Sequence, residues 1–150
     1  LVGVDRYSDF PARVAALRVC VDQTEGGRVS GRVYSQMFTA PLSFSDTGNL
    51  VLQADAVMDA QNFPQAFQRS RTFAPRPQTA ASLAAATPEL GIPADAVAAA
   101  AGARATFLVM VVSRRSSSWQ GLIDWLDGTP KEEFSSALEL IRAIDARFAP

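Results

Sequence analysis

A pattern of residues that recurs at a spacing of ninety positions constrains the fold of this chain more than any other feature. When residues 16–58 are aligned with residues 106–148 without a gap, nine of the 43 positions are identical. The identical pairs are Val19 and Val109, Val21 and Val111, Gly31 and Gly121, Thr39 and Thr129, Phe44 and Phe134, Ser45 and Ser135, Leu50 and Leu140, Asp55 and Asp145, and Ala56 and Ala146. Because internal repetition decides the architecture of a chain, we expect two copies of one structural unit.

Each copy predicts two strands that are followed by a helix. The strands are predicted at 17–21 and 29–38 in the first copy, and at 106–112 and 119–126 in the second, from their β-branched and apolar residues. A polar or Pro-containing bend then ends in a Phe-Ser pair, and the serines, Ser45 and Ser135, are suited to cap a helix. In the second copy, Ser136 and Glu139 also have the spacing of a capping box.

The helices that follow are predicted from a single apolar stripe in each copy. The stripe residues of the first copy are Thr47, Leu50, Val51, Ala54 and Met58. Those of the second copy are Ala137, Leu140, Ile141, Ile144 and Phe148. One stripe on each helix indicates that both helices cover the same face of one sheet.

The order of predicted elements in each copy is β-β-α. We therefore predict an α+β fold in which this duplicated unit forms a four-stranded antiparallel sheet with two helices on one face. Such an arrangement resembles a two-fold dimer carried on one chain. We expect one domain over residues 1–150, with the first repeat at about 16–60, a linker at about 61–104 and the second repeat at about 105–150. Within the linker, the Ala-rich stretches 80–86 and 94–101 predict short helices, which Pro and Gly separate.

The composition excludes several kinds of functional site. The chain has no His and one Cys, so a Ser-His-Asp or Cys-His nucleophile, a histidine-bound zinc and an internal disulfide are all ruled out within it. No Gly-rich phosphate loop, EF-hand or dinucleotide-binding motif occurs, and a net charge of −1 gives no general attraction for a polyanion. We therefore predict a protein that is not an enzyme and has no metal or cofactor. An enzyme, the third alternative, would have to rely on Asp, Glu, Arg and Ser alone or on a site shared with a partner.

The ends and the apolar runs predict a soluble, cytoplasmic protein without a membrane-inserted segment. The opening LVGVDRYSDF carries charges at Asp5, Arg6 and Asp9 and so lacks the features of a secretory signal. The longest apolar runs, 96–101 and 107–112, fall well short of the roughly 20 residues that a membrane helix needs. Thirteen Arg against one Lys, with many Ala, are typical of a bacterial protein from a GC-rich genome.

The strand predicted at 107–112 is apolar on both of its faces. Phe107, Val109 and Val111 alternate with a second set, which consists of Leu108, Met110 and Val112. The matching positions of the first copy hold Arg18, Cys20 and Asp22. A strand that is apolar on both faces needs cover on both. One face meets the helices, and we expect the other to meet either the linker helices or a partner chain.

The stretch from Arg114 to Gly121 is the most distinctive in the chain. Arg114, Arg115 and Trp119, with three serines between them and Gln120 after them, could bind a phosphate, a carboxylate or a stacked base. The alternative is an ordinary hairpin turn, followed by a strand whose Trp fills the core.

A second basic cluster lies in the linker. It consists of Arg69, Arg71 and Arg76, with Phe67 and Phe73 between them, and no acidic residue occurs between Asp59 and Glu89. Such a segment could lie along a nucleic acid or in an acidic groove of a protein, or it could be ordinary surface.

Three further residues have candidate roles. Asp55 and Asp145 occupy equivalent helix positions, where we expect a place on the helix surface or hydrogen bonds between the repeats rather than acid–base catalysis. Cys20 lies in the middle of a strand among valines, so we expect a small buried apolar residue rather than a reactive thiol.

These features predict a non-catalytic protein-interaction, adaptor or assembly subunit that binds another protein chain or a second copy of itself. The predicted binding surface combines the second sheet face, the 113–120 turn and the Arg/Pro-rich linker. Its residues are Arg69, Arg71, Phe73, Arg76, Leu108, Met110, Val112, Arg114, Arg115, Trp119 and Gln120. The alternative is a small nucleic-acid-binding or regulatory module that uses Arg114, Arg115, Trp119 and the 69–76 cluster.

Overall fold

The computed structural model describes residues 15–61, 82–114 and 118–150. In chain order its elements are β1 (Ala15–Glu25), β2 (Arg28–Tyr34), β3 (Leu42–Phe44), α1 (Thr47–Gln61), a 3₁₀ turn (Pro88–Leu90), α2 (Ala94–Ala99), β4 (Ala105–Ser113), β5 (Gln120–Asp124), β6 (Glu132–Phe134) and α3 (Ala137–Arg147). The α+β class predicted from the sequence is confirmed. Within the described ranges, no helix combines the length and the apolar character needed to cross a membrane.

The strands form one antiparallel sheet in the order β3-β2-β1-β4-β5-β6. The sheet therefore has six strands, and the prediction of four strands is wrong. The two additional strands are β3 and β6, which lie at its edges where the sequence predicted only a bend before Phe44 and Phe134. Each has three residues, which is too short for an alternating pattern to show in the sequence.

The two halves of the sheet have the same register at an offset of ninety residues. Val21 pairs with Gly31 and Val111 pairs with Gly121, and in both ladders the register shifts immediately after these pairs. Strands β1 and β4 join the halves at the centre, where Arg18 lies opposite Leu108, the residue ninety positions away. Residues at equivalent positions of the two halves can therefore be compared directly.

Both long helices pack on one face of the sheet, which we call the inner face; the opposite face is the outer face. Side chains alternate between the faces along each strand. The buried residues of the inner face include Leu17, Val19, Val21, Val33, Phe107, Val109, Val111 and Ile123. Those of the helices include Leu50, Ala54, Met58, Leu140 and Ile144, as their apolar stripes predicted. This layer is the core of the described structure.

The helix caps lie one residue after the two serines proposed from the sequence. Asp46 Oδ1 accepts a hydrogen bond from the Asn49 N–H at the start of α1. Ser136 Oγ accepts one from the Glu139 N–H at the start of α3, at the predicted capping-box spacing. The prediction of Ser45 and Ser135 as the caps is therefore wrong by one position, because β3 and β6 still hold the preceding Phe residues in the sheet.

The linker forms less helix than predicted. A helix occurs at Ala94–Ala99, inside the predicted 94–101. Over residues 82–86 the predicted helix is replaced by a turn and an isolated bridge between Phe38 and Ala84. The backbone groups there are bonded to the loop before β3, since Thr39 N–H donates to the Leu83 carbonyl and Ala85 N–H to the Met37 carbonyl. Long-range pairing thus replaces the local helix that alanines favour.

Candidate functional site on the outer face of the sheet

The outer face of the first half carries a polar network. Arg32 Nε and Nη2 donate to the two carboxylate oxygens of Asp22, at 2.9 and 3.0 Å, and Arg32 Nη1 donates to the Tyr34 hydroxyl at 2.7 Å. The hydrogen bond from Arg32 holds the pKa of Asp22 below its usual value. The pair is bidentate, which fixes the orientation of both side chains.

Residues 100–104, which we call the cover segment, are hydrogen-bonded to this network. Arg18 Nε donates to the Ala100 carbonyl at 2.7 Å, and Arg32 Nη2 donates to the Ala101 carbonyl at 3.0 Å. Asp22 accepts from the Ala103 N–H at 3.1 Å. The polar side chains of the first half therefore hold a part of the linker against their own face of the sheet.

Cys20 lies between Arg18 and Asp22 on this face and is completely buried. Burial raises the pKa of its thiol, and this outweighs the opposite effect of the nearby Arg32 and Arg18 charges. The interpretation of Cys20 as a small buried residue agrees with this environment.

We expect the Cys20 thiol to resist modification while the protein is folded, because both access and ionisation are suppressed. The measurement is the rate of reaction with a thiol-specific reagent at pH 8, with and without denaturant. A Leu52→Cys variant, which places a second thiol at an exposed helix position, should react at once and serves as the control. Equal rates for native and denatured Cys20 would contradict the burial described here.

The outer face of the second half is apolar at the equivalent positions. We call Leu108, Met110, Val112 and Leu122 the apolar patch. Counted back by ninety, these positions are Arg18, Cys20, Asp22 and Arg32 of the first half. Val112 is 42% exposed, Leu108 and Leu122 are half-buried, and Met110 is buried. The surface that binds the cover segment in the first half is therefore apolar in the second half.

Gln120, another residue predicted to bind a partner, lies at the margin of this face. Its Oε1 accepts from the Ser113 hydroxyl at 2.8 Å, and its Nε2 donates to the Ser135 carbonyl at 3.3 Å. These bonds connect β4, β5 and the residue after β6, and they leave the side chain half-buried.

Arg114 and Trp119, which the sequence predicted as binding residues, are buried in the interior. Arg114 is only 2% exposed, and its Nη1 donates to Asp59 at 2.8 Å and to Asp55 at 3.2 Å. The Trp119 Nε1 donates to the same Asp55 oxygen at 2.9 Å. We call these four residues the inter-half cluster, since they connect β4 and β5 to α1. For Trp119, the alternative of a core residue agrees with the structure.

Asp55 and Asp145 each accept a hydrogen bond from the other half of the molecule. Asp55 accepts from Trp119 and Arg114, and Asp145 Oδ1 accepts from the Thr47 hydroxyl at 2.9 Å. These bonds agree with the expectation of hydrogen bonding between the repeats. Among the described residues, no group of three or more Cys, Asp or Glu is arranged to hold a metal ion.

The remaining predicted binding residues are Arg69, Arg71, Phe73, Arg76 and Arg115, and all of them lie outside the described residues. Their part in binding stays a prediction. Sequence reasoning missed Leu122, although a signal was present: with Gly121 and Ile123 on the inner face, Leu122 must point to the outer face. It also missed the cover segment, whose contacts use backbone groups that any sequence supplies.

Comparison of the chain with protein-family models, with curated proteins and with solved structures found no match.

Proposed function

We propose that the protein is a non-catalytic interaction or assembly subunit that binds another protein chain through the apolar patch. The observation that carries this proposal is the difference between the halves. Four positions that form or adjoin a polar network in the first half hold Leu108, Met110, Val112 and Leu122 in the second. Apolar side chains on an accessible sheet face are typical of protein-binding surfaces.

The fold proposal behind this comparison is that the chain contains two copies of one unit, revised from β-β-α to β-β-β-α. Three features support it: the order of elements, the matching registers and the register shifts after Val21 and Val111. If the copies began alike, the apolar patch is a departure in one of them, and a departure that leaves Val112 exposed and Leu108 and Leu122 half-buried favours a binding role.

The basic linker residues of the 69–76 cluster are a second part of the proposal, supported by the sequence alone. They would surround an apolar contact with arginine hydrogen bonds. The nucleic-acid alternative uses Arg114, Arg115, Trp119 and the 69–76 cluster. The polar groups of Arg114 and Trp119 are directed to Asp59 and Asp55, and the other residues lie outside the described ranges. No observation on the described residues favours that alternative.

The test compares Val112→Lys with Leu52→Lys. Val112 belongs to the apolar patch, while Leu52 is 61% exposed on α1, on the helix side of the molecule. We expect Val112→Lys to weaken partner binding at least tenfold, since a charge in an apolar contact costs more than about 1.4 kcal/mol. Leu52→Lys should leave binding unchanged, and both variants should keep their stability within about 0.5 kcal/mol.

The partner is identified by a photo-crosslinking amino acid placed at position 112 or at position 52 of the full chain in its native cell. Cross-linked chains are then identified by mass spectrometry. A protein that is captured from position 112, absent from position 52 and lost with competing wild-type chain supports the proposal. The same set of products from both positions would refute it.

A further inference from the structure

We propose that the chain bound by the apolar patch is a second copy of this protein, whose α2 and cover segment lie on the patch in a two-fold dimer. The inference rests on the proposed function, because it names the partner of the same surface. Each copy would give its α2 and cover segment to the other and receive the same contact in return. Such an isologous interface closes on itself and covers the accessible part of each patch.

In its first half, the molecule covers the equivalent surface with its own cover segment. There, Ala100, Ala101 and Ala103 are bonded to Arg18, Arg32 and Asp22, which correspond to Leu108, Leu122 and Val112 of the apolar patch. The structure therefore shows which kind of segment fits at these sheet positions: a backbone with small side chains. The apolar patch has the same strand geometry but needs an apolar contact in place of a polar one.

Helix α2 has no fully buried residue. Its sequence is Ala-Asp-Ala-Val-Ala-Ala, and it directly precedes the cover segment. A helix of six residues has little stability in water unless it packs against other residues. Five of its six side chains are apolar, and none of them is buried. Val97 is half-buried and the other residues of α2 are exposed, so an apolar helix with little burial and an apolar patch are present on the same molecule.

The small side chains of α2 and the larger side chains of the apolar patch suit each other. Alanine side chains allow the close approach of a helix to a sheet, and a patch of Leu, Met and Val offers the larger side chains that fill the contact. Asp95 is the only charged residue of α2, and the whole chain has a net charge of −1, so two copies repel each other weakly.

The cover segment and the apolar patch lie on opposite sides of the centre of the sheet. The cover segment is bonded to β1 and β2, while the apolar patch is on β4 and β5, on the other side of the centre of the sheet. A two-fold axis parallel to the strands, placed in the interface opposite the β1–β4 pair, exchanges these two sides. The α2 of each copy then faces the patch of the other, and the two helices lie side by side in one layer between the sheets.

The first measurement is the mass of the full chain by sedimentation equilibrium over a range of concentrations. We expect a dimer of twice 16.0 kDa. Val112→Lys should raise the dissociation constant at least tenfold, and Leu52→Lys should leave it unchanged. A monomer at every concentration would overturn the inference. If position 112 still cross-links to a different protein, the proposed function stands and only the second copy as partner is wrong.

The second measurement shows which surfaces meet. Chains with Ala96→Cys or Ala98→Cys are each mixed with Val112→Cys chains and mildly oxidised; residues 96 and 98 lie on nearly opposite sides of α2, so one of them faces the patch. We expect a disulfide-linked dimer in one of these mixtures and none for the Val112→Cys chain alone. In the control mixtures, Leu52→Cys chains take the place of the Val112→Cys chains, and no disulfide should join the two kinds of chain. Linkage of Val112→Cys to itself would show patch-to-patch contact and would overturn the inference.

Discussion

Replacement of Gly31 or Gly121 by alanine is expected to lower the free energy of unfolding by about 3 kcal/mol or more. A Cβ added at Gly31 would lie 1.9 Å from the Cys20 carbonyl oxygen, and one added at Gly121 would lie 1.8 Å from that of Met110. Both obstructing atoms are backbone atoms of the neighbouring strand, so relief requires the strands to move apart. The two residues are ninety positions apart, and each pairs directly before a register shift.

The measurement is urea unfolding of each variant, followed by far-ultraviolet circular dichroism. Gly48→Ala is the matched control, because Gly48 lies in the first turn of α1 and an added Cβ would come no closer than 3.4 Å to Asp46. There we expect a gain of about 0.5–1 kcal/mol, as alanine suits a helix better than glycine. A loss below about 1 kcal/mol for both strand variants would show that the backbone approach is not as close as described.

Replacement of Arg114 by methionine is expected to cost about 3 kcal/mol, the second large effect. Methionine keeps much of the apolar volume but removes the cation that faces Asp55 and Asp59. The Asp59 side chain is only 15% exposed, so its carboxylate would be left with less hydration and without this cation. Breaking one side of a buried ion pair is costly because the remaining charge stays desolvated.

Urea unfolding of three variants separates this cause from a general loss of packing. Adding Asp59→Asn to Arg114→Met should recover part of the lost free energy of unfolding, since it removes the carboxylate charge that faced the Arg114 cation. Arg147→Met is the control at an exposed position, where the ion pair with Asp127 is in contact with solvent and a much smaller loss is expected. If Arg114→Met is as stable as the wild type, the inter-half cluster does not fasten α1 to β4 and β5.

Much of the fold could be predicted from the sequence similarity at an offset of ninety residues and from periodicity. The offset of ninety places equivalent residues in equivalent ladders, and the apolar stripes identify the helix faces that meet the sheet. Strands β3 and β6 were missed because three residues carry no period. The prediction of a helix is wrong over residues 82–86, because pairing with residues 37–39 depends on contacts far away in the chain.

The positions of candidate site residues were predictable only where they follow from the alternation of side chains between the two faces of a strand. The outer positions of β4 follow from the pattern of Leu108, Met110 and Val112, which the sequence analysis had grouped on one face. The place of Arg114 does not follow from its neighbours, because its burial depends on Asp55 and Asp59, which lie 59 and 55 residues earlier in the chain. A local pattern of charges therefore indicated a surface site where the fold makes an internal ion pair.

The central pairing of β1 with β4 has a consequence for folding kinetics and for chain length. These strands are equivalent members of the two halves, so their ladder closes a long loop that contains α1 and the linker. Contacts of such sequence separation form slowly, because the entropy of closing the loop is lost before the contacts can stabilise it. We therefore expect each half to make its own hairpin before the halves meet. The equilibrium cost of closing a longer loop is nevertheless small, about 0.6 kcal/mol for each doubling of its length.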